Sequence, residues 1–170
     1  MAKTPNRVLG MIRRTFTCKD EQTIIQLYKS LVRPHLKYCV QAWHPYLSKD
    51  IEMLEKVQRR ATKIVYVFNE LTYEQRLRRL NITTLETRRL RGDLIEVFKI
   101  VKGVDNVDFH NFFHLSTTSL RGHSLKIFKP SFKHDIGKYT FSNRVIDSWN
   151  RLPEYIIHCE SLDNFKEKLD

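Results

Sequence analysis

The 170-residue chain is 41% hydrophobic and 29% charged, with five Gly and five Pro, a composition that excludes disordered and fibrous classes and suffices for a buried core. Thirty Lys and Arg against nineteen Asp and Glu leave a net charge of +11, which favours polyanionic partners, nucleic acid first among them. Three scattered cysteines, Cys18, Cys39 and Cys159, argue against a disulfide framework, and no apolar run approaches the roughly 18 residues of a membrane helix. The expected setting is therefore cytoplasmic and/or nuclear, with no targeting signal and no membrane partner.

The first predicted helix runs from Asn6 to Phe16, with Val8, Leu9, Ile12 and Phe16 at helical spacing and Arg13 and Arg14 off that stripe. Pro5 discourages a longer helix upstream. Asp20 is placed to cap a second helix starting at Glu21, which Pro34 should end or kink. The apolar segment from His35 to Leu47 reads as structural. Ser48 is the expected N-cap of a third helix reaching about Tyr66, with Asp50 and Glu52 favouring its N-terminal dipole.

Projected at about 100° per residue, that third helix separates two faces. Ile51, Leu54, Val57, Ala61, Ile64 and Val65 fall on one side, and Lys56, Arg59, Arg60 and Lys63 on the other. Thr72 to Gln75 reads as a capping box for a short helix ending near Leu80, and Thr83 to Glu86 as another for a helix to about Lys102, closed by Gly103. Between Lys56 and Arg91, ten Lys and Arg face three acids.

After Gly103 the pattern changes to Asp105, Asn106 and Asp108 followed by Phe109, Phe112 and Phe113, which suggests two regions, 1–103 and 104–170. Ser124 to Lys129 reads as a strand that Phe132 and Ile136 could partner. Phe141, Val145, Ile146 and Trp149 then read as a helix ending before Pro153, and Ser161 as the cap of a last one. The expected fold is mostly α, a basic helical bundle with a small C-terminal subregion that has room for a short β-hairpin.

Seven segments carry a family likeness: NRVLG at 6–10, LYKSLVRPHLKY at 27–38, LEKVQRRATK at 54–63, LETRRLRGDL at 85–94, RGHSLK at 121–126, FSNRVIDSWNRLP at 141–153 and LDNFK at 162–166. In this order, over nearly the whole chain, they resemble the region downstream of the polymerase palm in non-LTR retrotransposon reverse transcriptases of the jockey-like and related groups. The resemblance implies a thumb and the segment beyond it, part of an RNA-directed DNA polymerase. Its implied partners are template–primer RNA and DNA and the palm of a complete enzyme.

The palm's divalent metal, magnesium, would bind outside this chain, so no cofactor is expected here. Such a centre needs carboxylates clustered around two ions about 3.5–4 Å apart, and the sequence has no adjacent Asp pair. Asp50, Glu52 and Glu55 lie on the first turns of a helix and read as dipole complements. His110 with His114, or His35 with Cys39, would each supply two zinc ligands but lack two more at recognisable spacing. Neither a Gly-x-Ser-x-Gly elbow nor a phosphate-cradling glycine loop is present, so no catalytic residue is assigned.

A thumb grips its duplex through backbone phosphates, which makes binding tolerant of sequence and sensitive to salt. The i, i+3, i+4, i+7 spacing makes Lys56, Arg59, Arg60 and Lys63 the leading phosphate contacts. Arg13 and Arg14 follow, then Arg76, Arg78, Arg79, Arg88, Arg89 and Arg91. Trp43 and Trp149 lie in apolar-periodic segments and read as core. A stand-alone RNA- or DNA-binding module, or a non-catalytic structural remnant, is the alternative the sequence leaves open.

Overall fold

Helix α1 spans Lys3–Thr15 and begins three residues before the expected start. Pro5 sits in its first turn, where the missing N–H would have had no intrahelical partner, so the proline starts the helix instead of blocking it. The computed structural model describes residues 3–117, 122–132 and 135–169. They are mostly helical, as expected.

Asp20 caps α2 (Glu21–Leu27) by accepting the Thr23 N–H at 2.8 Å. The chain then continues through a π-helical segment, Tyr28–Val32, into α3 (Arg33–Lys37). Pro34 neither ends nor sharply breaks this run. It lies at the start of α3, and the preceding wider turn, in which the Arg33 N–H reaches the Tyr28 carbonyl, absorbs the ring that a regular helix would force against Ser30. Ile24, Tyr28, Val32 and Leu36 are all buried along it.

Helix α4 spans Ser48–Thr62; Leu47 holds the cap position and Ser48 is its first residue. It ends four residues before the expected Tyr66. The Thr62 hydroxyl donates to the Arg59 carbonyl at 3.0 Å, and Lys63 closes the last turn, donating its N–H to Arg59 and Arg60. Beyond it, a 3-10 turn at Tyr66–Phe68 buries Phe68 while Tyr66 and Val67 face outward.

The Thr72–Gln75 box forms as read: the Thr72 N–H donates to Gln75 Oε1 at 2.8 Å and the Gln75 N–H to Thr72 Oγ1 at 3.3 Å. It opens α5 (Tyr73–Arg79), which Asn81 closes in a left-handed conformation, φ 48°. The cap of α6 (Leu85–Val101) falls one residue later than expected, on Thr84, which accepts the Thr87 N–H at 3.2 Å. Gly103 closes α6 at φ 65°, with Val104 N–H on the Lys99 carbonyl and Gly103 N–H on that of Ile100. This Schellman arrangement needs the left-handed residue that glycine provides.

The chain forms two compact units, Met1–Cys39 with Pro45–Arg89, and Val40–His44 with Leu90–Asp170. The division falls inside α6 and not after Gly103, because Leu94, Val97, Phe98 and Ile100 carry the second half of that helix into the second core. In the first unit, α1 packs on the π segment, α3 and α4, and α4 packs on α2 and α5.

In the second unit a 3-10 turn at Phe109–Asn111 precedes the described helical segments α7 (Asp135–Lys138), α8 (Phe141–Arg144), α9 (Ile146–Asn150), α10 (Glu154–Ile157) and α11 (Leu162–Lys168). Trp149 is fully buried, as expected, and its ring contacts Phe165, which also stacks on Phe98 with centroids 4.1 Å apart. The expected single helix from Tyr139 is broken at Val145 into α8 and α9. Ser161 caps α11, accepting the Asn164 N–H at 3.2 Å.

The expected hairpin is replaced by another pairing. Ile127 makes an isolated antiparallel bridge with Leu115, flanked by Ser116 N–H to Lys126 O at 2.8 Å and Phe128 N–H to His114 O at 2.7 Å. The other edge is occupied by Asn150, whose amide accepts the Ile127 N–H at 2.9 Å and donates to the Ile127 carbonyl at 2.8 Å. Both backbone groups of Ile127 are thus taken by Asn150, and Ile136 of the expected partner strand lies in α7. Residues 133 and 134 of that proposed partner lie outside the described residues. Arg144 forms a two-pronged ion pair with Asp93, Nε to Oδ2 at 3.1 Å and Nη2 to Oδ1 at 2.9 Å, and also donates to the Val40 carbonyl.

Candidate nucleic-acid interface

The two-faced reading of α4 holds at the level of exposure. Leu54, Val57 and Ala61 are buried on one side, whereas Lys56, Arg59 and Arg60, with Lys63 just past the helix end, are exposed on the other. Arg59 and Arg60 in the last turn, and Lys63 at its close, also oppose the negative end of the helix dipole. Among the described residues, Lys56 pairs with Glu52 at 3.4 Å, and no carboxylate lies within ion-pair distance of Arg59, Arg60 or Lys63. Arg59 lies 5.0 Å from the Tyr73 ring centroid, and Arg60 donates to Asn6 Oδ1 at 3.0 Å.

Two clefts flank this ridge. One, of about 440 Å³, is lined by Lys56, Arg59, Arg60, Lys63, Tyr73 and Arg76. The other, of about 530 Å³, brings Arg13 and Lys19 to Arg60 and Lys63, beside Tyr66 and the amides of Asn6 and Asn69. Neither lining includes an acidic residue. Lys19 donates to the Tyr66 hydroxyl at 3.0 Å, and this bond and the ammonium charge pull that phenol below its ordinary range.

The remaining candidates fare differently. Arg14 and Arg78 are exposed but line neither cleft. Arg79 pairs with Glu21 at 3.4 Å and lies 5.2 Å from the Phe68 ring centroid. Arg76 is only 3% exposed; it forms the floor of the smaller cleft, donates to the Leu71 carbonyl at 3.2 Å, and burial depresses its pKa. Arg88 is half-buried, and its charge adds to burial in pushing down the pKa of Arg33.

Arg89 and Arg91 are engaged within the fold. Arg89, 2% exposed, donates to the Leu36 carbonyl at 2.9 Å, and half-buried Arg91 donates to the Lys166 carbonyl at 3.0 Å. Each satisfies a last-turn carbonyl that a helix leaves open, of α3 and α11 in turn. Arg76 is likewise held within the fold, and only its edge reaches the smaller cleft.

The acidic grouping on α4 also separates. Glu55 is buried and accepts bonds from the Leu85 N–H at 3.0 Å, the Tyr73 hydroxyl, and Gln58 Nε2 at 3.4 Å. Its carboxylate therefore complements the N-terminus of α6, not that of its own helix. Gln58 joins the network by accepting from the Tyr28 hydroxyl at 2.5 Å and donating to the Thr83 carbonyl at 3.0 Å. Burial first, then Glu55, raises the Tyr73 phenol well above its usual value, and burial does the same for Tyr28.

Among the described residues no group of three or more His, Cys, Asp or Glu side chains is placed to hold a metal ion, and no helix is long and apolar enough to cross a membrane. Lys19 and Tyr66 were absent from the sequence-based candidates. Their meeting spans 47 residues, and no local pattern announces it. No protein-family profile, curated protein or solved structure matches the chain.

Proposed function

We propose that this chain is the thumb and adjoining C-terminal part of a non-LTR retrotransposon reverse transcriptase, holding template–primer nucleic acid through phosphate contacts while polymerisation chemistry belongs to a palm domain. The observation that carries the reading is the exposed cationic edge of α4, where Arg59, Arg60 and Lys63 have no carboxylate within ion-pair distance among the described residues. Such charges gain by displacing counterions from a phosphate backbone. The order of the seven family-like segments supplies the polymerase context. Magnesium and the catalytic carboxylates are assigned to the palm.

Binding of the full chain to an RNA–DNA hybrid, measured across a salt series, tests this. Replacing Lys56, Arg59, Arg60 and Lys63 together by Ala should weaken binding regardless of sequence and flatten the slope of log affinity against log salt by about 2 to 3.5, at up to about 0.9 per lost phosphate contact. An unchanged slope refutes the assignment. Nucleotide incorporation by the isolated chain would overturn the separation from catalysis.

A further inference from the structure

The larger cleft combines features that duplex binding does not require. Arg13, Lys19, Arg60 and Lys63 line it with no acid among its walls, so its field selects an anion. Its volume, about 530 Å³, lies in the range of small-ligand sites, roughly 300–1,000 Å³. Tyr66 is 63% exposed at its edge, although Phe68, two residues on, is fully buried. Lys19 holds the Tyr66 hydroxyl and lies 4.9 Å from the ring centroid, and the rest of the ring is presented to solvent. Arg60 engages the carbonyl oxygen of the Asn6 amide, and the Asn6 N–H₂ and the Asn69 side chain, both in the lining, are of the type that meets polar edges of a base.

Cations, an exposed ring and amide groups in one concave site match a nucleotide whose base is unpaired. A base inside a duplex is stacked on both sides and offers only its edges, so it has no face for Tyr66; an unpaired base does. We propose that this cleft takes an unpaired nucleotide of a single-stranded segment, its base against Tyr66 and its flanking phosphates on Arg13 and Lys63. The assignment rests on the nucleic-acid-binding reading above and adds to it a preference for a junction between duplex and single strand.

The test uses the full chain and two RNA–DNA hybrids, one blunt and one with a short single-stranded overhang carrying 2-aminopurine. The wild-type chain should bind the overhang hybrid about tenfold more tightly than the blunt one, the scale of one stacked base, and should quench the 2-aminopurine. Tyr66→Ala should erase the advantage and the quenching while leaving blunt-hybrid affinity in place, and Tyr66→Phe, which keeps the ring, should retain both. Because Tyr66 is exposed, its truncation opens no core cavity. A wild-type chain that binds blunt hybrid with no overhang advantage, or an advantage that survives Tyr66→Ala, overturns the cleft assignment alone. A wild-type chain that binds neither hybrid overturns the nucleic-acid-binding reading and this assignment with it.

Discussion

Replacing Glu55 by Ala removes the acceptor on which three elements converge, since α4 supplies the carboxylate, α5 the Tyr73 hydroxyl and α6 the Leu85 N–H. The Leu85 N–H is an orphan donor of the first turn of α6, and its exclusion from water makes an unmet bond cost about 1–3 kcal/mol. Tyr73 is half-buried and can turn its hydroxyl toward solvent, so its loss adds less. Together, with the small void left in place of the side chain, the change should destabilise the first unit by about 2–4 kcal/mol. Glu55→Gln keeps one acceptor oxygen but presents its N–H₂ to the second donor, and should cost about half as much. Native-state hydrogen exchange of the full chain reads this directly, because the Leu85 amide and the amides of α4 to α6 report opening of this unit separately from the other. Leu85 protection unchanged in Glu55→Ala, with opening free energies within about 0.5 kcal/mol of wild type, would refute the reasoning, since changes of that size are typical of inert surface sites.

Two further perturbations follow from the electrostatics. The Asp93–Arg144 pair is nearly dry, with side chains 3% and 12% exposed, so Arg144→Ala should cost about 3–5 kcal/mol in urea unfolding, whereas Asp93→Leu with Arg144→Met should recover most of it; equal losses in both would contradict an ion-pair origin. Asp20 is held down to about 2 from 3.8, chiefly by the Thr23 N–H. A depressed acid stabilises the fold fully above its unfolded value and loses that contribution as pH falls through the folded one. Carboxyl NMR should therefore place the Asp20 midpoint near 2, with the cap of α2 lost over the same interval. A midpoint at the unperturbed value would sink the cap.

The elements that could be read from sequence are those whose determinants are neighbours in the chain. Asp20, Thr72 with Gln75, Gly103 and Ser161 each act within a few residues, so their caps appear as short patterns, and the alternation of Val57 and Ala61 with Arg59 and Arg60 fixes which side of α4 is charged. What escaped is decided by partners far away. Arg59 and Arg89 look alike in a charge run, yet one is exposed and the other donates to a carbonyl 53 residues distant. Ile127 has the pattern of a strand, but Asn150 and Leu115, neither adjacent to it in sequence, determine how it pairs. Glu55 resembles a cap for its own helix and instead serves one that begins 30 residues later.

The π segment at Tyr28–Val32 governs the angular phase of everything before and after it. The buried residues Ile24, Tyr28, Val32 and Leu36 repeat every four positions, whereas a regular helix turns once in 3.6, so three such steps would carry the stripe about 120° around the axis and turn Leu36 away from the core. A wider turn in the middle takes up part of that surplus rotation and keeps the four side chains near one line. The segment thus reconciles a four-residue apolar repeat with a helix of shorter period, and Pro34, which demands relief from the turn before it, supplies the local reason for the adjustment to occur there.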